Sequence, residues 1–382
     1  MQYSFRLAEL LGHVPDPRRR PGTIKAIVEY TGLDRHQVAA LLKNEVKYIP
    51  IKALSRLCDY LIEHGHSEAS QLPGALFAVE PENFWELLAR RRRLELCVGV
   101  RRDFETENPE VSYVVASDSV LLGELLNGVT TLGGSALYRK DPAADGTIAP
   151  LPHPEHLKQT LVWSPGQATE NEVRDRANHS YKTFSEPQGD KAIVGIGSTK
   201  SNPLVEIVVA NALNCEPFVS QDNCNSVNDR SVPFFMRYRD NDPHPASCMA
   251  GLKLSRDQES KEPGIYFEDE KGKWQHVRGG TAKEDCAFVF YVHRESQGRL
   301  EMVMGGFSGR ATRLLARTMA SQAEEFWPPT TNTQGIQCAA FVVKYALSSA
   351  EKSSLDILRT DLTATTKIMR IGEKALQRCL DR

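Results

Sequence analysis

The sequence predicts an α/β protein: a small all-α head at the N-terminus, then a large sandwich whose sheet is largely parallel and carries a β-hairpin insertion. Three observations predict it. Apolar residues recur at helical spacing through residues 21–64. From Leu94 onward, short apolar β-type runs alternate with helical stretches. Between residues 255 and 280, "GIYFEDEKGKWQHVRGG" reads as two strands about a Lys-Gly turn.

Composition bounds the classes of function. A chain of 382 residues that is 41% hydrophobic and 25% charged is an ordinary globular protein, long enough for about two or three domains. Its net charge of -2 is not that of a polycation, so any nucleic-acid contact rests on a local basic patch. The first residues lack the pattern of an export signal, and no apolar run reaches the roughly 20 residues needed to cross a bilayer. The expectation is a soluble, cytoplasmic protein with no membrane partner. Eight scattered cysteines without a CxxC pair read as reduced thiols.

In the head, Ile24, Ile27 and Val28 repeat at helical spacing, and Thr31-Gly32 ends that helix. Asp34 is a good N-cap for a second helix that carries Val38, Leu41 and Leu42 on one side. After "NEVKYIP" a third helix runs through Leu54, Leu57, Cys58, Leu61 and Ile62. Short helix, Gly-containing turn, short helix is the helix-turn-helix plan. The stretches "IVEYTGLDRHQVAALLKN" and "IPIKALSRLCDYL" resemble the Cro/C1-type family of phage and bacterial repressors, over roughly residues 5–66.

That resemblance implies double-stranded DNA as partner, with the helix after Asp34 in the major groove. The contacting residues would be Arg35, His36, Gln37, Ala40, Lys43, Asn44 and Lys47. Arg and Gln can each make two hydrogen bonds to a purine edge, whereas Lys43 and Lys47 suit phosphates. Positions 1–66 hold ten Lys or Arg against seven Asp or Glu, and Arg18, Arg19 and Arg20 supply much of the surplus as a possible backbone-touching arm. The competing reading is a helical bundle used for protein contacts, since any solvated helix has polar outward residues. One such head reads a half-site, which implies a homodimer whose contact lies in the rest of the chain.

The domain boundaries read as 1–66 for the head, 67–93 for a linker and connecting helix, and 94–382 for the α/β domain. Leu76-Phe77 is the linker's apolar anchor. "NFWELLARRRR" is a short helix whose arginines Arg90–Arg93 either complement its C-terminus or touch the DNA backbone. "LELCVGV", "VSYVVAS", "TLVWS", "KAIVGI", "DCAFVFYVH", "RLEMVMG" and "IQCAAFVVKYAL" read as strands, the fifth and sixth paired around the turn "RESQG", with helices from "DSVLLGELLNGV", "ATENEVRDRANHSY" and "GRATRLLARTMASQAEEF". A DNA-binding head before a Rossmann-like domain is an architectural analogy.

Ligands of open α/β sheets sit beyond the strands' carboxyl ends. Three such loops carry candidate ligand-binding residues: Ser117 and Asp118 in "ASDS"; Gly197, Ser198, Thr199, Lys200, Ser201 and Asn202 in "GIGSTKSN"; Gly306, Ser308, Gly309 and Arg310 in "GGFSGR". Glycines admit a close backbone approach, and hydroxyls and helix-start N–H groups suit an anion. The pattern is neither GxGxxG nor the Walker form, and Asn202-Pro203 also starts a helix with no ligand at all. Arg310 at a helix start wants a compensating anion, supplied by a ligand or by a carboxylate such as Glu206. Cys215, Cys224, His244 and Cys248 match no standard zinc spacing, and no catalytic motif stands out. The expected function is a transcriptional regulator whose α/β domain binds a small, phosphorylated or nucleotide-like effector. The alternative is a nucleotide-acting enzyme with a helical targeting domain. No cofactor is identified.

Overall fold

The structure, a computed structural model, describes residues 3–11, 22–43, 45–73, 76–79, 81–103, 111–134, 154–186, 190–294, 298–333, 336–347 and 365–381. The head comprises β1 (Tyr3–Phe5), α1 (Leu7–Leu10), α2 (Thr23–Thr31), α3 (Arg35–Leu42), α4 (Ile51–Glu63) and β2 (Phe77–Val79). Its helices bury Leu7, Ile27, Val38, Leu41, Leu57 and Leu61 in one cluster. Strand β1 pairs antiparallel with β2, and the anchor Leu76 enters the same cluster. The head's core therefore draws on chain from both sides of its helices. Gly32 ends α2 at φ 75, a left-handed position that glycine takes without strain, and donates its N–H to Val28 O.

Helix α5 (Phe84–Ala89) follows, its first turn capped by the Asn83 side chain. It stops before the arginines, and Arg93 already opens β3 (Arg93–Arg102). Each of the four arginines has a carboxylate partner on this chain: Glu86, Asp190, Glu155 and Glu95 in turn.

The large domain continues with β4 (Ser112–Val114), α6 (Ala116–Thr131), β5 (His156–Trp163), α7 (Glu170–Ser185), β6 (Lys191–Ile196) and α8 (Pro203–Ala212). An inserted stretch holds β7 (Phe234–Arg237), β8 (Lys253–Ser255), β9 (Gln258–Glu259), β10 (Gly264–Glu268) and β11 (Trp274–Arg278). Then come β12 (Glu284–Arg294), β13 (Arg299–Gly306), α9 (Gly309–Gln322), β14 (Thr331–Thr333), β15 (Ile336–Ala346), β16 (Thr366–Arg370) and α10 (Glu373–Leu380).

The main sheet runs β14-β15-β12-β13-β6-β3-β4, with β16 on β15 and β5 on β3. It is mixed, which corrects the expectation of a largely parallel sheet. Strands β5, β3, β6 and β13 are parallel, but β12 is antiparallel to both β13 and β15, and β14, β16 and β4 are also antiparallel to their neighbours. For β12 and β13 the cause is connection length. The few residues between β12 and β13 allow a hairpin, whereas a parallel crossover needs about a dozen or more.

Strands β3, β6 and β13 are covered on both faces, so they are apolar on both. Leu94, Leu96, Val98 and Val194 pack with α5, α6 and α9, while Cys97 and Ile193 face α8 and the insertion. The β10–β11 hairpin forms as expected, with Gly272 at φ 72 in its turn, but β7 pairs with β10 as a third strand.

Candidate functional site

Asp34 fixes the start of α3. Its Oδ1 accepts the Gln37 N–H at 2.8 Å, while Gln37 Oε1 accepts the Asp34 N–H at 3.3 Å, a reciprocal capping box. Val38 and Leu41 are fully buried, which turns the opposite face outward. Arg35, His36, Lys43 and Lys47 are exposed; Gln37 and Ala40 are half-buried. Gln37 thus has its carbonyl oxygen committed to the cap, and its amide N–H₂ is the group left for a base. Asn44 and the arginines at 18–20 lie outside the described residues. Tyr48 and Ile51, just beyond α3, are 74% and 80% exposed.

In the large domain, α6 begins at Ala116, so Ser117 and Asp118 sit in its first turn and not in a loop. Three segments meet there. A Cβ on Gly197 would lie 3.6 Å from Asp118 Oδ2, one on Gly309 would lie 3.3 Å from Ser117 Oγ, and one on Gly305 would strike Gly197 O. The Asp118 carboxyl is almost fully buried and its pKa is pushed up to about 6 by that burial, with the Ser117 hydroxyl and the Arg101 charge acting the other way.

The turn between β6 and α8 is bound up with its own surroundings. Gly197, at φ 112, donates its N–H to Met304 O, and the Ser198 N–H goes to Ser201 Oγ at 3.0 Å. Ser201 Oγ donates to Ser198 O, and Thr199 Oγ1 shares a hydrogen bond with the Tyr238 hydroxyl. Asn202 is fully buried: its amide donates to Cys97 O and Ile196 O, and its oxygen accepts the Leu204 N–H. These bonds tie the ends of β3 and β6 together at the point where the connections from the sheet diverge. A Cβ on Gly99 would sit 1.8 Å from Ser201 O, so the turn fills that crevice itself. Lys200 extends away to Asp242 at 3.0 Å, over the Tyr238 and Phe307 rings. Burial lowers its pKa while Asp242 raises it.

The β13–α9 turn follows the same economy of donors. Ser308 caps α9 through the Ala311 N–H and donates its own hydroxyl to Asp285 Oδ2 at 2.6 Å. Arg310 reaches the same oxygen from Nε at 3.2 Å and Nη2 at 3.1 Å. The Gly306 N–H donates to Thr312 Oγ1. Asp285, fully buried, is therefore the anion that offsets Arg310. Glu206 is engaged elsewhere, by the N–H groups of Phe218 and Cys248 and the Ser247 hydroxyl. Asp285 escaped the sequence reading because it stands against a long apolar run, although an acid at the mouth of a buried strand is itself a signal. Cys224 donates to Leu254 O, and His244 bonds the Arg239 carbonyl. Among the described residues no three His, Cys, Asp or Glu side chains group as metal ligands.

Comparison with known families matches residues 18–62 to the Cro/C1-type HTH DNA-binding domain. The chain carries that domain at its N-terminus. Neither the curated proteins nor the solved structures gave a match. No described helix is long and apolar enough to cross a membrane.

Proposed function

We propose that the protein is a transcriptional regulator whose head reads duplex DNA and whose α/β domain binds a small effector. The observation that carries the reading is the outward face of α3, where Arg35, His36 and Lys43 are exposed while Val38 and Leu41 anchor the other side. Arg35 and the Gln37 amide read base edges, Ala40 lines the groove, and Lys43, Asn44 and Lys47 hold phosphates. Selection of bound duplexes from a random pool by the full-length protein tests this. A recurrent motif with two half-sites supports it; enrichment of no sequence refutes base reading.

The effector would lie at Ser117, Asp118, Gly197 and Gly309, where the N-termini of α6 and α9 come together. Two helix starts favour a ligand with an anionic group, such as a phosphorylated metabolite or nucleotide. Ser198, Thr199, Ser201, Lys200, Asn202 and Arg310 support that site from behind, because their polar groups are already held by protein partners. An anion beside Asp118 raises the carboxyl's pKa further, so binding is accompanied by proton uptake and weakens as pH rises from 6 to 8. Calorimetric titration of nucleotides and sugar phosphates at both pH values tests it, and a tighter complex at pH 8 would refute it. The near-neutral carboxyl also favours a second reading, proton transfer in an enzyme acting on the same ligand. Product formation from those compounds, abolished by Asp118→Asn, would establish that reading.

A further inference from the structure

The outer edge of β5 is open among the described residues, and its main chain and side chains both define what would close it. Among the described residues strand β5 pairs only with β3. The His156 N–H donates to Arg92 O and the Ser164 N–H to Val100 O, both at 2.9 Å, so the even-numbered residues direct their main-chain groups inward. Alternation then turns the N–H and C=O groups of Leu157, Gln159 and Leu161 to the open edge. The side chains of these three share one face, where Leu157 is 55% and Leu161 44% exposed. On the other face Thr160 and Val162 are buried.

We infer that β5 is the contact through which two copies of this chain associate, the strands pairing antiparallel about Gln159 so that the two sheets become continuous. The register selects itself. Pairing centred on Gln159 sets Leu157 of one copy opposite Leu161 of the other, twice, and joins residues whose N–H and C=O groups both point outward, giving about six hydrogen bonds. It sets Lys158 opposite Thr160, and Lys158 keeps its own partner Glu95 at 3.3 Å. Centring on Lys158 would face that cation with its own copy, and centring on Thr160 would set each leucine at 161 against Gln159. An exposed apolar edge strand otherwise invites uncontrolled pairing, and a two-fold partner closes it.

The full-length protein without DNA is the sample, so the result is independent of whether the head reads DNA. Sedimentation at concentrations on the order of tens of micromolar should give a dimer. Gln159→Pro removes an edge N–H that β3 does not use, and Leu161→Lys sets a cation opposite Leu157; each should weaken association at least tenfold with the helical circular dichroism unchanged. Gln159→Cys, with oxidised glutathione, should give a reducible cross-linked dimer that the parent chain does not. If Gln159→Pro fails to fold, Leu161→Lys and the cross-link carry the test. A monomeric parent chain, a dimer indifferent to Leu161→Lys, or a dimer in which Gln159→Cys does not cross-link overturns the proposal.

Discussion

At the scale of single residues, Asp118 holds an acid where burial opposes its charge. Its folded pKa of about 6 exceeds the ordinary 3.8, so the folded state binds the proton more tightly than the unfolded chain does. The associated stability is present below pH 3.8 and is lost as pH rises through about 6. Asp118→Asn keeps the shape and removes the titration. The variant should be more stable than the parent at pH 8, by up to about 3 kcal/mol, with the gain fading toward pH 4; thermal unfolding at both pH values measures it. In the head, the two kinds of contact separate by their response to salt and sequence. Arg35→Ala should cost about 1–3 kcal/mol on the selected duplex and little on random DNA. Lys47→Ala should weaken both alike and reduce the slope of log affinity against log salt by about 1. Electrophoretic shifts over a salt series distinguish them.

At the scale of elements, local chemistry explains what could be read in advance. The head was legible because its signals lie within a few residues of one another: Gly32 closing α2, Asp34 opening α3, Leu-x-x-Leu spacing in α4. The β6–α8 turn was legible as a turn, with Asn202 and Pro203 at the helix start. What its donors bind was not, because Cys97, Met304 and Tyr238 are distant in sequence. Asn202 links two strand ends through two carbonyls and caps α8 with its oxygen. Asn202→Ala should therefore cost about 3 kcal/mol, since buried carbonyls lose their donors and the helix loses its cap. Asn202→Asp should cost more, because a carboxylate keeps the cap but faces two carbonyl oxygens. A urea midpoint for the large domain, followed by tryptophan fluorescence, gives the order.

At the scale of the whole molecule, strands were found, but apart from the β12–β13 pair about its short turn their directions were not. "DCAFVFYVH" and "IQCAAFVVKYAL" announce β12 and β15 by composition, yet nothing in an apolar run states whether its neighbour is parallel. Pairing is set by connections and by contacts far apart in the chain. The insertion illustrates this, because it is fastened by the C-terminal helix. Glu268 on β10, nearly buried, accepts both Arg378 Nη1 at 3.1 Å and Nη2 at 2.6 Å from α10, and its carbonyl accepts the Gly372 N–H. The pair is bidentate, so its geometry is specific as well as attractive. Removing one partner leaves a buried carboxylate without its cation, which costs more than the pair itself contributes. Arg378→Met should thus destabilise by about 2–3 kcal/mol, at the lower end because Arg378 is partly exposed and water can reach the site. Arg378→Met with Glu268→Met should recover most of that loss, since the two apolar side chains can pack where the charges were. Chemical denaturation of the parent, the single and the double variant decides the matter: a double variant less stable than the single would mean that the pair, and not relief of a stranded charge, holds α10 to the insertion.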